Sequence, residues 1–434
     1  MNNFSVPEEL LGFFQEGQGK TLLVKGNPGS GKTIFAFTLL RELNRKGIYL
    51  STRVDPESLY GHIGWLRDSL PVENIVDATQ SERQKMTGSL AIKALKYTDV
   101  PDFLKGVYER IERLQRGLVI VDSWDAVVSH TGFYEPRERE KLEHNLTDFS
   151  RKTGTDIIFI AEYVDQRPLD YLVDGVVITL NNVSDMRRVR SLELQKLRGV
   201  EIKQPVYLYS LHGGVFRGFS AFRDGYTLDN ISLPPAPLPD PGPGRLSTGS
   251  KDLDAVINGY GSFNLCQGDR KCHDLLQLFL ILNAISLGKK LVLSLSERSL
   301  LQNARVPVPE NLRDNIRLLP GSDTAALNQC VAELDAGGTL SGAIFFLYLD
   351  AAGGDGDMER TIYDITQKGG FVLGFVSEGQ TVEAHLESMV ATSLVARTHF
   401  GIPCIYSNIP LTENYAMKID SAGGYPELRL TPVV

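Results

Sequence analysis

An eight-residue run near the N-terminus constrains this chain more than any other feature. Its residues are Gly26, Asn27, Pro28, Gly29, Ser30, Gly31, Lys32 and Thr33. The run matches the pattern G-x-x-x-x-G-K-[ST] of a phosphate-binding loop, or P-loop. The apolar residues 22–24 before it predict a buried strand, and residues 34–43 after it predict a helix. Because this motif requires a strand, a loop and a helix in that order, the sequence predicts a phosphate site here.

The residues of this loop have distinct predicted tasks. The glycines let backbone N–H groups point inward around a phosphate, and the N-terminus of the helix adds positive potential. Lys32 would bridge the β- and γ-phosphates, and the Thr33 hydroxyl would bind Mg²⁺. The alternative is a glycine-rich turn with a chance lysine, which the flanking strand and helix disfavour. We therefore predict a nucleoside triphosphate site with a metal ion.

A second metal ligand is predicted at the end of a later strand. Residues 117–122 form an apolar run that ends in Asp122. An acid that ends a strand downstream of a P-loop is placed to contact Mg²⁺, usually through a bound water. Taken alone, such an aspartate is often a helix N-cap. The loop upstream favours the metal role for Asp122, together with Thr33.

The domain organisation follows from length and from one change in composition. The chain has 434 residues, which is more than one compact core usually holds. In the first half, apolar strands alternate with helices, which predicts a parallel α/β sheet covered on both faces. Residues 231–244 are rich in proline, and we interpret them as a semi-rigid linker rather than a partner-binding segment. The predicted domains are therefore residues 1–230 and 245–434.

The second half repeats the order of elements of the first half. A strand at residues 262–266, a helix at 275–285 and a strand at 291–295 follow the order of residues 20–52. The corresponding loop, residues 266–274, has one glycine, no G-K-[ST], and Asp269 where a phosphate would lie. A bare carboxylate repels a phosphate. We therefore predict a degenerate second domain that has lost or weakened nucleotide binding.

Composition excludes several classes of protein. A formal charge of −8 argues against a general nucleic-acid coat. The longest apolar runs are too short to span a bilayer, and the first residues carry no basic and apolar signal pattern. Four cysteines do not make a disulfide framework in a chain of this length, and we interpret Cys266 and Cys272 as inert thiols. These features predict a cytoplasmic protein.

Residues 174–199 carry a family resemblance. They begin D-G-V-V-I and end R-x-R-x-L-E-L-Q-K-L-R-G. This pattern resembles the end of the ATPase core in the KaiC-like branch of the RecA superfamily. Glu162 and Tyr163, and the opening of the second half at residues 247–254, also match. The resemblance covers residues 15–220 well and 245–300 moderately, and within the branch it extends to the archaeal gas-vesicle regulators of the GvpD family.

The resemblance implies a fold, a ligand and an assembly. It implies two RecA-like domains, with ATP and Mg²⁺ bound between neighbouring subunits of a ring or filament, and a hexamer as the candidate ring size. It also implies that Lys196 and Arg198 reach the γ-phosphate of the adjacent subunit as trans fingers, because a cation there stabilises transition-state charge. The alternative is that Lys196 and Arg198 are surface charges on a hairpin.

One departure from the family pattern concerns hydrolysis. The family places a glutamate that orients the attacking water at the end of the strand after the P-loop helix. In this chain Arg53 stands near that place, and a cation cannot serve as a general base. Arg53 could instead hold the γ-phosphate, and Asp55 or Glu57 could substitute for the missing acid. The corresponding strand of the second half carries Glu297. We therefore predict tight ATP binding with slow turnover.

Three functions remain open at this point. The first is an ATP-dependent regulatory switch that acts through an unidentified protein partner. The second is a recombinase-type DNA-dependent ATPase, with candidate DNA contacts at Arg137, Arg139, Arg187, Arg188 and Arg190. The third is an interaction scaffold that holds nucleotide structurally. The negative charge and the absence of a recognisable DNA-binding module favour the first function.

Overall fold

The computed structural model describes residues 5–51, 56–77, 117–130, 135–221, 231–303, 305–306, 308–319, 324–349, 356–382, 384–421 and 425–434. The chain divides into two compact units. The first comprises Met1–Ala221 with Val433–Val434, and the second comprises Phe222–Pro432. Within the described residues, each unit is built on one nine-stranded sheet.

The first unit alternates strands and helices up to its last parallel strand. Its described strands are β1 (Thr21–Gly26), β2 (Gly47–Ser51), β3 (Ile75–Asp77), β4 (Leu118–Asp122), β5 (Asp156–Ala161), β6 (Gly175–Ser184), β7 (Arg187–Leu197), β8 (Val206–Ser210) and β9 (Arg217–Phe219). Its described helices are α1 (Glu8–Gln15), α2 (Lys32–Glu42), α3 (Pro56–His62), α4 (Leu66–Ser69), α5 (Trp124–His130), α6 (Pro136–Thr153) and α7 (Pro168–Leu172). Short 3₁₀ turns lie at Val72–Asn74 and His212–Gly214. The amphipathic pattern of residues 103–114 also predicts a helix, but this segment lies outside the described residues.

The sheet of the first unit has the strand order β3-β2-β4-β5-β1-β6-β7-β8-β9. Strands β3 to β6 are parallel, and β7, β8 and β9 extend the sheet in antiparallel fashion. Strand β1 lies between β5 and β6, and its last residue, Gly26, is paired with Thr179 of β6. The loop that follows β1 therefore begins at the carboxyl edge of the sheet, beside the antiparallel extension.

Successive side chains of β1 pack into two hydrophobic clusters on opposite faces of the sheet. Leu22 and Val24 belong to a cluster with Phe35 and Phe37 of α2, whereas Leu23 belongs to a cluster on the other face with Trp124. Because side chains alternate across a strand, an unbroken apolar run can serve both faces only when both are covered by helices. This burial explains the continuous apolar pattern of the parallel strands.

Lys25 is the exception to that apolar run. Its side chain is 0% exposed, and Nζ donates to Asp170 Oδ2 of α7 at 2.5 Å and to the Asp165 carbonyl at 3.3 Å. This buried ion pair joins β1 to α7 at Lys25, the residue directly before Gly26. Removing one partner leaves an uncompensated charge in the interior.

The second unit contains its own set of strands and helices. Its described strands are β10 (Phe263–Gly268), β11 (Leu291–Leu293), β12 (Ile316–Leu318), β13 (Ile344–Tyr348), β14 (Phe371–Ser377), β15 (Thr392–His399), β16 (Ile402–Ile409), β17 (Tyr415–Asp420) and β18 (Glu427–Pro432). Its described helices are α8 (Lys251–Ile257), α9 (Arg270–Ser286), α10 (Leu295–Asn303), α11 (Thr324–Ala336), α12 (Gly356–Gln367) and α13 (Ala384–Ser388). A 3₁₀ segment spans Glu310–Asn315.

The two sheets have the same topology. The second has the order β12-β11-β13-β14-β10-β15-β16-β17-β18, which is the order of the first with nine added to each number. Its strands up to β15 are parallel and the last three are antiparallel. The predicted tandem repeat of one α/β fold is confirmed. Strand β13 takes the place of β4.

The proline-rich residues 231–244 lie in the second unit. The Leu238 N–H donates to Asn283 Oδ1 of α9 at 2.7 Å, and Asn283 Nδ2 donates back to the Leu238 carbonyl at 2.9 Å. Ile231 is buried against Leu278 and Leu282 of the same helix. These contacts hold the predicted linker along α9.

The four cysteines are free and buried. Burial raises the pKa of the Cys266 thiol to about 12 and raises the pKa of Cys272 further. Because the thiolate is the reactive form, these groups match the prediction of inert thiols. Among the helices of the described ranges, none is long and apolar enough to cross a membrane.

Lys25→Met should lower the free energy of unfolding of the first unit by about 3–5 kcal/mol, because Asp170 is left buried without its cation. Both tryptophans, Trp65 and Trp124, lie in this unit, so tryptophan fluorescence during urea unfolding measures it selectively. The exposed Lys152 provides a control, and Lys152→Met should change stability by less than about 0.5 kcal/mol. Equal losses in the two variants would contradict a structural role for the pair.

Candidate functional site

The loop between β1 and α2 consists of residues 27–31, and its glycines are sterically required. Gly31 has φ 86°, and a Cβ there would lie 2.5 Å from Leu211 Cδ1. A Cβ on Gly26 would lie 2.3 Å from the Thr179 carbonyl oxygen. The loop therefore packs directly against the antiparallel extension, and its backbone can approach a ligand without side chains in between.

Lys32 lies at the first position of α2 and folds back over the loop. Its side chain is 6% exposed. Nζ donates to the Gly26 carbonyl at 2.8 Å and to the Asn27 carbonyl at 2.9 Å. The ammonium is thus held by the carbonyls of two successive residues at the start of the loop, where a phosphate-binding lysine is expected.

Thr33 and Asp122, the two predicted metal ligands, are in direct contact. Thr33 Oγ1 donates to Asp122 Oδ2 at 2.6 Å, and Tyr49 Oη donates to the same oxygen at 3.0 Å. Burial raises the pKa of Asp122 above its ordinary value, even though the hydrogen bonds from Thr33 and Tyr49 and the charge of Lys32 act in the opposite direction. A buried carboxylate next to a hydroxyl is a hard oxygen donor set that suits Mg²⁺.

These residues pass a test of fit for a magnesium nucleotide. Gly26 and Gly31 let the loop backbone pack closely against Thr179 and Leu211. Lys32 supplies a cation, and Thr33 with Asp122 supplies oxygen ligands. The predicted residues of the loop and of the metal pair are therefore brought together at one edge of the sheet. Their roles in binding stay predictions.

Three residues that hold the loop were missed by sequence reasoning. Thr179 Oγ1 lies 2.7 Å from Ser30 Oγ, Arg190 donates to the Gly29 carbonyl at 3.1 Å, and Tyr209 Oη donates to the Ser30 carbonyl. They come from β6, β7 and β8, about 150–180 positions later in the chain. The R-x-R pattern gave a signal for Arg190, although we interpreted it as a DNA contact. Neither Thr179 nor Tyr209 had a sequence signal.

The predicted trans fingers lie at the opposite end of β7 from the loop of their own unit. Lys196 is paired with Val176, which is paired with Leu23, three residues before Gly26. Lys196 Nζ donates to the carbonyls of Asp170, Tyr171 and Val173. Arg198 donates to Asp174 Oδ1 and to the Tyr171 carbonyl, both at 3.2 Å. Neither side chain contacts the phosphate loop of this chain.

The segment that departs from the family pattern is only partly described. Arg53 and Asp55 lie outside the described residues. Ser51, the last residue of β2, is paired with Asp122. Glu57 is exposed in the first turn of α3. The prediction of Arg53 near the γ-phosphate therefore stays a prediction.

Most of the basic residues proposed as DNA contacts are not available to DNA. Arg187 and Arg190 are buried. Arg139 Nε donates to the buried Glu143 at 2.9 Å. Arg137 and Arg188 remain exposed. The candidate basic surface is therefore reduced to two residues.

The second unit replaces the phosphate loop with a single residue. Between β10 and α9 stands only Asp269, whose carboxylate accepts the Cys272 N–H at 2.9 Å and the Thr398 hydroxyl at 2.8 Å. The N-terminus of α9 is thus capped by the protein's own negative charge. This geometry agrees with the predicted degeneracy of the second domain.

Glu297 belongs to the first turn of α10 and not to the preceding strand, β11, which ends at Leu293. Its side chain is buried and accepts the Ser294 N–H at 2.9 Å. In this position the carboxylate holds the start of a helix.

A P-loop after the central strand of a mostly parallel sheet, with a strand-terminal aspartate beside its threonine, defines a P-loop fold of the RecA type. Residues 10–195 match the family model described as "GvpD gas vesicle protein, P-loop domain". The chain is 32% identical over 269 residues to Protein GvpD2 of Halobacterium salinarum, covering 58% of this chain and 52% of that protein. It is 27% identical over 267 residues to Protein GvpD1 of the same organism, covering 58% and 48%.

A third relative is the circadian clock oscillator protein KaiC of Thermostichus vulcanus, with 26% identity over 263 residues, covering 56% of this chain and 46% of KaiC. The chain spans about half the length of the curated relatives it matches. The chain is therefore similar to the P-loop domain of GvpD over residues 10–195 and, at lower identity, to KaiC.

Asp269→Ala should destabilise the second unit by about 1 kcal/mol, because the N-terminus of α9 loses its cap. Asp269→Asn retains a capping oxygen and should stay close to wild type. Hydrogen exchange of the α9 amides measures this difference, while the tryptophan signal of the first unit should not change. A stability loss in the asparagine variant as large as that in the alanine variant would contradict the capping role.

Proposed function

We propose that this chain is an ATP-binding regulatory switch with slow hydrolysis. The observation that carries the proposal is the 2.6 Å contact between Thr33 Oγ1 and Asp122 Oδ2, beside a loop over which Lys32 is folded. This set combines the phosphate-binding and metal-binding groups of a P-loop ATPase. The family supports ATP as the nucleotide.

The chain's own residues would divide the work of binding. Backbone N–H groups of residues 29–32 would surround the β-phosphate, and Lys32 would exchange its two carbonyl partners for phosphate oxygens. Thr33 and Asp122 would hold Mg²⁺, which offsets negative charge on the β- and γ-phosphates when bound. Release of the metal would return Thr33 Oγ1 to Asp122.

Slow turnover follows from the residue types near the predicted water position. Hydrolysis at a useful rate needs a group that orients or deprotonates water. The sequence offers Arg53 where the family has a glutamate. We propose that Arg53 holds the γ-phosphate instead, so that ATP persists and its presence is the signal that a partner reads.

The assembly we propose is a ring, with hexamer as the expected size. Lys196 lies on β7, two strands from β1, and its level along the strands is three residues, or about 10 Å, before that of Gly26. This placement favours action on the ATP of a neighbouring subunit. Arg198, held by Asp174 and Tyr171, would be released or redirected when subunits associate.

The second unit is the proposed contact for a regulatory protein, since it keeps the fold without the phosphate loop. The family name links the relatives to gas vesicles, and we propose that process as the first one to examine for this chain. A cytoplasmic location stays a prediction. No observation favours the recombinase alternative, because two of its five arginines are buried and a third is paired with a glutamate.

Lys32→Ala should abolish ATP binding, because the loop loses the cation that bridges the phosphates. Lys46→Ala removes an exposed lysine just beyond α2 and should bind like wild type. Titration of labelled ATP against the full chain, with and without Mg²⁺, measures both. If Lys32→Ala loses ATP but still supports partner binding and regulation, the scaffold alternative replaces the switch.

Arg198→Ala should weaken ATP-dependent assembly or hydrolysis while leaving ATP binding by the monomer intact. Arg151→Ala is a matched control, since both arginines are 49% exposed and both contact Asp174 Oδ1. Particle mass with and without ATP, together with phosphate release, measures the effect. Wild-type turnover should stay below about 10 per second. Equal effects of the two substitutions would contradict the finger role.

A further inference from the structure

We propose that Arg190 and Tyr209 are positioning residues that hold the phosphate loop in its binding shape before nucleotide arrives. This inference rests on the proposed nucleotide binding and concerns the same site. Both residues belong to the antiparallel strands, β7 and β8, that extend the sheet beside β1. They act through the loop and do not belong to the P-loop motif.

Arg190 is 3% exposed, which is unusual for a guanidinium. Its Nη1 donates to the Gly29 carbonyl at 3.1 Å, and it is also hydrogen-bonded to Tyr209. Its Nε has no hydrogen-bond partner among the described residues. A buried cation directly behind the loop adds positive potential where a phosphate would bind, and an anion there would offset the cost of burying that charge.

Tyr209 is fully buried, and its position is fixed by aromatic packing. Its ring stacks on Phe216 at 4.6 Å between centroids, and Phe216 packs against Phe35 of α2 at 4.9 Å. Its hydroxyl donates to the Ser30 carbonyl. Burial raises the pKa of Tyr209 to about 12, so the hydroxyl keeps its proton and remains a donor at neutral pH.

Together these contacts orient two consecutive peptides. A trans peptide points its carbonyl and the following N–H in opposite directions. Because Arg190 and Tyr209 fix the carbonyls of Gly29 and Ser30, the N–H groups of Ser30 and Gly31 must point away from the antiparallel strands. The Ser30 N–H donates to the Asn27 carbonyl at 3.2 Å within the loop, and the Gly31 N–H is an amide of the kind that a P-loop uses to bind phosphate.

A loop that already has its binding shape binds nucleotide more tightly, because it loses less conformational entropy on binding. The loop contacts the phosphates that ATP and ADP share. Loss of the loop's positioning should therefore weaken the binding of ATP and the binding of ADP to the same degree. A residue that touched only the γ-phosphate would instead change ATP binding alone.

The test compares Arg190→Gln and Tyr209→Phe with two controls in the full chain. Arg188→Gln removes an exposed arginine from the same strand as Arg190. Tyr207→Phe removes a hydroxyl from the same strand as Tyr209, where it donates to Glu9 at 2.7 Å. Isothermal titration with Mg·ATP and Mg·ADP gives Kd for all variants. We expect Kd for both nucleotides to rise about tenfold, or about 1.4 kcal/mol, in each test variant.

Both controls should stay within about twofold of wild type, and Arg190→Lys should restore part of the affinity. The double variant should lose less than the product of the single losses, because the two residues share one task. Hydrogen exchange of the Ser30 N–H, which donates to the Asn27 carbonyl at 3.2 Å, should quicken in the test variants without nucleotide.

Unchanged Kd in a folded Arg190→Gln or Tyr209→Phe variant would overturn the inference, even if its melting temperature fell. A loss for ATP without a loss for ADP would overturn it as well. If Arg190→Gln fails to fold, Tyr209→Phe decides the question, since phenylalanine keeps the ring packing. Failure of wild type to bind either nucleotide would overturn the proposed function itself, whereas normal wild-type binding with unaffected variants overturns only this inference.

Discussion

The geometry of one short loop governs the first unit, because its backbone amides must face inward while its carbonyls find partners elsewhere. Within the loop, the Ser30 N–H donates to the Asn27 carbonyl, whereas the Gly29 and Ser30 carbonyls accept from groups outside the loop. Lys32 donates to the Gly26 and Asn27 carbonyls, and Arg190 and Tyr209 donate to the Gly29 and Ser30 carbonyls from the antiparallel strands. The sheet extension therefore holds the loop as well as closing the fold.

The same constraint explains why the metal pair lies where it does. Strand β4 ends beside β2, and Asp122 meets the first turn of α2 at Thr33. Burial of that carboxylate is unfavourable for its charge, as its raised pKa indicates. A buried carboxylate with a raised pKa is typical of a functional site, where the group is kept for ligand binding.

Local pattern was enough to predict the phosphate loop, Thr33, Asp122 and the repeated α/β units, because their signals lie in contiguous residues or in periodicity. The contacts of Thr179 and Tyr209 with Ser30 could not be predicted, since they join residues 149 and 179 positions apart. Arg190 was recognised as part of the R-x-R motif but was predicted to be a DNA contact, whereas it is buried. The reason is that sequence does not reveal which side of an antiparallel strand is covered. The burial of Lys25 was missed because its ion-pair partner, Asp170, lies 145 positions away in the chain.

Asp269 gives the second unit a permanent internal anion where the first unit leaves a place for a mobile one. The start of its helix is therefore stabilised without any added anion. Under the proposed function, the first half would respond to the supply of ATP while the second half would keep a single form. A partner bound to the second half would then meet the same surface whatever the nucleotide state of the first.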